Sequence, residues 1–347
     1  MINKFTIPAH WDKKIIKEIL DHRSGKDLKN EIDEIYGSLP KPILGHGRTP
    51  NSVVQITQKE ALDFKKYISK RGIEFAYLLN GPAKKNIIHS KKSDEYLDWI
   101  MNEFRADSLT ITSIELMKRV RQLNNSIKIN VSTIAGIKNV TDLVKYLEFG
   151  ISKIIPHHDT NRNFSDLEIL QKFCTKEKIE IELLATESCL RECPNRWRHY
   201  SAIANFKDDA SFHINCNTKK INHPSNLLKA NFIRPEDLKI YNNIGINRFK
   251  ITGRSKPKEW ITEVIQAYFV EEYSGNLVRL LGISVPKFPI IWNEIFISNK
   301  SLKGFLKNFP DNSQQEERYC LNWLEQLSKN GDFKLSEEII NEYTKTE

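Results

Sequence analysis

Three of the chain's five cysteines fall between Glu187 and Cys216. Cys189 and Cys193 form a C-x3-C with Pro194 directly behind it, and Cys216 follows after a long polar excursion. One or two turns of chain could aim the first two sulfurs at a single point, whereas Cys216 has to be brought back by the fold. Arg191, Arg196, Arg198 and His199 lie among them. Cations at that density stabilise thiolates and any anionic centre built on them. Spacing alone leaves several chemistries open. Structural zinc commonly uses two close pairs, and here one pair stands with distant single cysteines. Thiolates gathered from scattered loops suit an iron–sulfur cluster equally well, and any one cysteine can be a small buried hydrophobe. A Cys189–His199 nucleophile pair would depend on the fold rather than on spacing, and no oxyanion hole is marked.

Other residue types capable of chemistry stand where apolar runs end. His157 and His158 are adjacent, so in an extended segment they face opposite ways. One of them, His158, is expected to line a site. Glu187, two residues before Cys189, is the candidate acid or base held beside the thiols. Asn80, Arg162, Arg234 and Arg254 follow other apolar runs. Arginine forks suit carboxylates, and they equally suit structural ion pairs such as Arg234 with Glu236.

Such residues need a scaffold that brings strand ends together. Short apolar runs recur at Lys4–Ala9, Glu34–Pro40, Ile73–Asn80, Ser108–Ser113, Ile127–Thr133, Ser152–Asp159, Ile179–Ser188 and Arg248–Arg254. Helix-periodic segments lie between them, one of them opening at Ser93 as its N-cap. Seven or eight strands alternating with helices imply an α/β fold with a parallel sheet. No glycine fingerprint marks a dinucleotide-binding sheet, so the pattern predicts a TIM-like (β/α) barrel, irregular in places, over residues 1–275. In such a barrel the chemistry sits at the C-terminal strand ends. Residues 276–347 are expected to form a small extension that packs on the barrel and carries Cys320. A strand at Phe288–Ile297 and a helix around Cys320 are expected there.

The chain has 347 residues, 39% of them hydrophobic and 28% charged, enough for a sizeable core. Its net charge of +9 fits an anionic substrate, an RNA partner, or merely a lysine-rich composition, and the lysines are spread throughout. The N-terminus turns charged too early for a signal peptide, and no apolar stretch reaches the roughly 18 residues of a membrane span. A cytoplasmic chain is therefore expected, in which cysteines serve as thiols or metal ligands more readily than as disulfides.

Several stretches taken together resemble one family. These are FAYLLN (Phe75–Asn80), DTNRNFSDL (Asp159–Leu167), LLATESCLRECPNRWRHY (Leu183–Tyr200), FIRPEDLKIY (Phe232–Tyr241) and FKITGR (Phe249–Arg254). They resemble the peptidase U32 family, the collagenase-like peptidases, from about Tyr36 to about Tyr268. The resemblance implies proteolysis in some members. In others it implies oxygen-independent hydroxylation of ubiquinone precursors or of ribosomal or transfer RNA, with a 4Fe–4S cluster on four cysteines and prephenate as hydroxyl donor. Carried onto this chain, it makes Cys189 and Cys193 the close ligand pair, Cys216 the third and Cys320 the fourth, with Cys174 competing for that last place. The Gly-rich cysteine spacing of the protease-type members is absent, which places the resemblance nearer the iron–sulfur branches. It implies Arg162, Arg234 and Arg254 as holders of a dicarboxylate such as prephenate, with a small-molecule or RNA substrate. The alternatives it carries are a U32-type peptidase and a non-catalytic subunit that partners a homologous U32 protein.

Overall fold

The computed structural model describes residues 1–21, 30–48, 52–205, 211–283 and 293–344. Eight strands form where the apolar runs lie: β1 Lys4–Pro8, β2 Glu31–Gly37, β3 Glu74–Leu79, β4 Ser108–Ile111, β5 Lys128–Val131, β6 Lys153–Ile154, β7 Glu180–Leu184 and β8 Arg248–Lys250. All pair in parallel with their sequence neighbours, and β8 pairs back to β1 with Phe249 opposite Phe5, so the sheet closes into a barrel. The expected (β/α) barrel is thus the observed architecture, and the ring is complete.

The helices of the barrel are α1 Lys13–Asp21, α2 Gln58–Ser69, α3 Lys85–Ile88, α4 Lys91–Asp98, α5 Ile114–Leu123, α6 Val140–Val144 and α7 Phe164–Lys176, then α8 Arg196–Ala204, α9 Ser211–Asn222, α10 Ser225–Lys229, α11 Leu238–Asn242 and α12 Lys258–Val270. Polar caps fix several of their starts. Thr57 and Glu60 form a reciprocal capping box on α2, and Ser113 and Asn163 cap α5 and α7 through their side chains. The expected cap at Ser93 is displaced by one turn: Ser90 caps α4 by accepting from the Ser93 amide. The Ser93 hydroxyl turns back onto the Ile87 carbonyl at 2.5 Å, so Ser93 lies inside the first turn. After Asp98 the chain widens into a π-helix from Trp99 to Glu103.

Beyond α12 come α13 Leu277–Leu280, β9 Ile295–Ile297, α14 Ser313–Lys329, β10 Phe333–Leu335 and α15 Glu337–Thr344, with β9 and β10 paired antiparallel. The strand expected at Phe288–Ile297 is seen from Ile295, and residues 288–292 of that span lie outside the described residues. Helix α14 packs on α10, and α15 packs on α9, so the extension touches two of the helices that lie between β7 and β8 in sequence.

Strand alternation sends the two faces of the sheet to different environments. Phe5, Ile35, Phe75, Leu109, Ile129, Leu183 and Phe249 face the helices and form the continuous apolar core, with Phe5 against Tyr268 and Phe269 of α12. Inside the ring lies a small apolar group, Tyr36, Ala76 and Leu78. The rest of the lumen is polar. Asn130 donates to Ser108 at 2.9 Å. Lys153 donates to both oxygens of Glu34, at 2.9 and 2.8 Å, and to Glu182 at 3.1 Å. Glu182 also accepts from Thr6 and faces Lys250 at 3.6 Å. Barrels of this type usually fill their centre with branched aliphatic side chains, so buried charge there is a departure with a cost of several kcal/mol per ion unless paired. Two carboxylates share the Lys153 ammonium. Against the cost of burial, Lys153 and Lys250 hold the Glu182 carboxyl down to about 2. For Glu34 burial wins, with the Glu182 charge adding to it, and its carboxyl is pushed up.

Candidate functional site

The loops leaving β6 and β7 meet the start of α8 at the C-terminal mouth of the barrel. Thr186 and Thr252, just past β7 and β8, tie those two strand ends together through their hydroxyls at 2.9 Å. Glu187 follows and is 5% exposed. One of its oxygens accepts the Cys189 amide at 2.6 Å, and the other pairs with Nδ1 of His158, which is equally buried. On the far side of the imidazole, the Tyr200 hydroxyl lies 2.5 Å from Nε2, with the phenol ring stacked near the histidine. The result is a continuous Glu187–His158–Tyr200 chain. With the carboxylate accepting from Nδ1–H, Nε2 is left as the acceptor for the tyrosine proton, a tautomer assigned from this network.

Burial alone would raise the Glu187 carboxyl. The His158 ring, with Arg196 beyond it, outweighs burial and holds the carboxyl well below the usual carboxylate range. Burial pushes the Tyr200 phenol well up, with Cys189 and Glu187 adding to it, so the hydroxyl keeps its proton at neutral pH. Arg196 and Tyr200 share one face of α8 because they are four residues apart. Arg196 donates to the Leu190 carbonyl at 2.5 Å and pairs with Asp159 at 3.3 Å. Its Nε and Nη1 are buried without a hydrogen-bond partner among the described residues.

The expected catalytic pair, Glu187 and His158, is therefore in direct contact. His157 turns aside and accepts from the Asp159 amide. The sequence reading missed Tyr200 and grouped Arg196 only with the thiols. The signal available was their i, i+4 spacing beyond the second cysteine.

The cysteines take different places. Cys189 is exposed by area and Cys193 and Cys216 are half-buried, Cys216 on α9. Desolvation by the surrounding protein pushes the Cys189 thiol up, and the Glu187 carboxylate and Cys216 add to the effect. Cys320 is fully buried on α14, its thiol pushed up to about 12 by burial, with Arg162 and Lys229 as its nearest cations. Cys174 is fully buried in the core on α7. Among the described residues no three His, Cys, Asp or Glu side chains gather closely enough to hold one metal ion. As placed, the thiols fit a cluster in kind and not in convergence.

The arginines also separate. Arg162 donates to the Leu228 and Phe232 carbonyls and stacks on Phe232 and Phe309. Arg234 is bidentate to Asp237, at 2.7 and 2.9 Å, and donates to the Asn299 carbonyl. Arg234 thus has all three of its nitrogens on protein groups, while Arg162 keeps a buried Nε without a hydrogen-bond partner among the described residues. Arg254 differs. It is 8% exposed and has no hydrogen-bond or ion-pair partner among the described residues. Its guanidinium lies 5.8 Å from the Tyr36 ring. Asn80 spends its side chain on Ser132 and on the Gly47 amide, at 3.2 and 3.3 Å, and so pins the Gly45–Arg48 loop over the mouth. Gly81 makes that closeness possible, since a Cβ there would stand 2.9 Å from the Gly45 backbone.

No family model matches the chain. A protein named uncharacterized protease MJ1657, of Methanocaldococcus jannaschii, is 29% identical over 279 residues, covering 78% of this chain and 81% of that protein. Among solved structures, the U32 peptidase Mk0906 is similar at 12% identity and a TM-score of 0.48, covering 73% of this chain and 94% of that one. A glycerophosphodiester phosphodiesterase from Parabacteroides distasonis is similar at 9% identity and a TM-score of 0.40, covering 77% and 99%. Both TM-scores fall below 0.5, and neither likeness bears on function. No helix among the described residues is long and apolar enough to cross a membrane.

Proposed function

We propose that the chain is a U32-type enzyme that performs acid–base chemistry at the C-terminal mouth of its barrel, on a substrate whose anionic group is held at Arg254. The observation that carries this reading is His158 clamped between Glu187 and Tyr200. The family part is supported by the motifs quoted above and by the relative named as a protease. In this reading a water adds its oxygen to the substrate's acyl carbon while its proton passes through the Tyr200 hydroxyl to His158 Nε2, and Glu187 stabilises the imidazolium that results. The proton returns to the leaving group through the same hydroxyl. Buried, oriented proton carriers of this kind contribute about 10²–10⁴ in rate. The arrangement suits hydrolysis of a peptide or a similar acyl bond, with Arg254 orienting a carboxylate of the substrate.

A second reading, iron–sulfur chemistry on a small molecule or RNA, is favoured by the approach of Cys189 to Cys216 and by the Arg196 charge beside Cys189. It requires α9 and the Cys189–Cys193 loop to draw together on a cluster.

One preparation tests both. Protein purified without oxygen is assayed for iron and acid-labile sulfide, then for cleavage of gelatin and acidic peptides with and without chelator. The acid–base reading expects chelator-insensitive turnover that falls about 10²-fold or more in Tyr200→Phe and His158→Gln. Turnover equal to wild type in both variants would refute it. About four irons per chain, lost in Cys189→Ala, Cys193→Ala and Cys216→Ala, would establish the second reading instead.

A further inference from the structure

Resting on the acid–base reading, we infer that Glu316, in the C-terminal extension, is a positioning residue for that reaction, holding His158 and Tyr200 in register through Arg191, Asn231 and Asp159. A line of polar contacts joins the two ends. The Glu316 carboxylate, on α14, pairs with Nη2 of Arg191 at 2.6 Å. Nη1 of the same guanidinium donates to the Asn231 side-chain oxygen at 2.5 Å. Asn231 is 1% exposed, and its side-chain nitrogen donates to Asp159 at 3.0 Å. The same Asp159 oxygen accepts from Nη2 of Arg196 at 3.3 Å. Asp159 therefore touches both halves of the proton chain. It shares the tight turn His158–Thr160 with the histidine, and it holds the first residue of α8, the helix that carries Tyr200.

The anchoring is doubled at Asn231. Its backbone carbonyl accepts from Asn161, the residue that ends the same turn, at 2.8 Å, and Asn161 also donates to the Leu184 carbonyl of β7 at 2.8 Å. A displaced Asn231 thus shifts the turn that bears His158. Arg191 fixes the Asn231 side chain only while its own fork is held. The Arg162 charge is close enough to repel it, and Glu316 faces both cations. Without the Glu316 charge, Arg191 is driven from Arg162 and loses the two-pronged geometry in which one nitrogen grips Asn231. Hydrogen bonds weaken steeply with misalignment, and His158 must meet Glu187 and Tyr200 at once. What α14 presents to the cysteine loop is this carboxylate; Cys320, one turn further along, is fully buried.

The test uses the full chain. Steady-state cleavage of gelatin is measured for wild type, Glu316→Gln, Arg191→Lys, Asp159→Asn, Glu316→Gln/Asp159→Asn and Glu317→Gln. Glu317 ties the same helix to α10 through Ser225 and Lys229, off the line, and so controls for a loosened extension. In parallel, nuclear magnetic resonance of protein with isotope-labelled histidine follows the exchangeable Nδ1 proton of His158, identified by its loss in His158→Gln. Glu316→Gln is expected to lower kcat about 10-fold or more with KM unchanged, since small misplacements of catalytic groups cost up to about 10²-fold. It is also expected to broaden the His158 proton signal as exchange with water quickens. Arg191→Lys keeps the charge without the fork and should do the same, which decides the matter if Glu316→Gln fails to fold. Members of one network are not additive, so the double variant should lose no more than Asp159→Asn alone. Glu317→Gln should match wild type in both readouts. Wild-type kcat and His158 signal in Glu316→Gln would overturn the inference, and so would equal losses in Glu316→Gln and Glu317→Gln. If turnover is lost in Tyr200→Phe and kept in Glu316→Gln, the acid–base reading stands and the positioning role falls. If wild type does not cleave gelatin, or Tyr200→Phe cleaves it equally well, the acid–base reading falls and the His158 signal alone decides the positioning.

Discussion

Replacing Glu187 by Gln isolates the energy stored at the mouth. The carboxylate is 5% exposed and accepts from two groups, His158 Nδ1 and the Cys189 amide. Removing one member of a buried charged pair costs about 3–5 kcal/mol. The Gln amide oxygen still accepts the Cys189 amide, which retains about 1 kcal/mol, so the net loss is about 2–4 kcal/mol. For a chain of this size that lowers the melting temperature by about 3–5 °C. Urea unfolding of wild type and Glu187→Gln measures it at pH 7. The pH dependence has a defined sign. The folded-state pKa of Glu187 lies below its unfolded value of about 4.3, so its stabilisation is complete above that value. It is lost as pH falls further, because the unfolded carboxyl then binds a proton that the folded one refuses. The gap between the two proteins is therefore full at neutral pH and narrows below about pH 4. Equal unfolding midpoints at pH 7, or a gap that does not narrow in acid, would refute the buried pairing.

Lys153→Met should destabilise the barrel by about 3–5 kcal/mol, since it leaves Glu34 and Glu182 facing each other; Lys153→Met/Glu34→Gln should recover most of that in the same urea assay. Glu316→Ala removes the partner that holds Arg191 at 2.6 Å from α14. Limited proteolysis should then cut the Ser188–Asn195 loop faster than in wild type, with the barrel intact.

The alternation of short apolar runs with helical periods was enough to place all eight strands and to choose a barrel, because each buried strand needs its own covering helix. Placing Glu187 and His158 at strand ends needed no more than the rule that chemistry gathers there. What the linear pattern could not carry was pairing across the ring. Arg162, Arg234 and Arg254 look alike in sequence, each polar and each near the end of a run. Only the packing shows that the first two donate to Leu228, Phe232, Asp237 and Asn299, while the third has no hydrogen-bond or ion-pair partner among the described residues. Tyr200 reaches His158 across more than forty residues, and Lys153 reaches Glu34 across more than a hundred. The charged lumen was equally hidden, since Glu182 and Lys250 read as ordinary polar positions until closure turned one face of every strand inward. The sequence alone determined which segments are strands and which carry reactive groups, because periodicity and residue type are local. Tertiary structure alone decided which of those groups meet and which are already satisfied, because burial and hydrogen bonding depend on partners far along the chain.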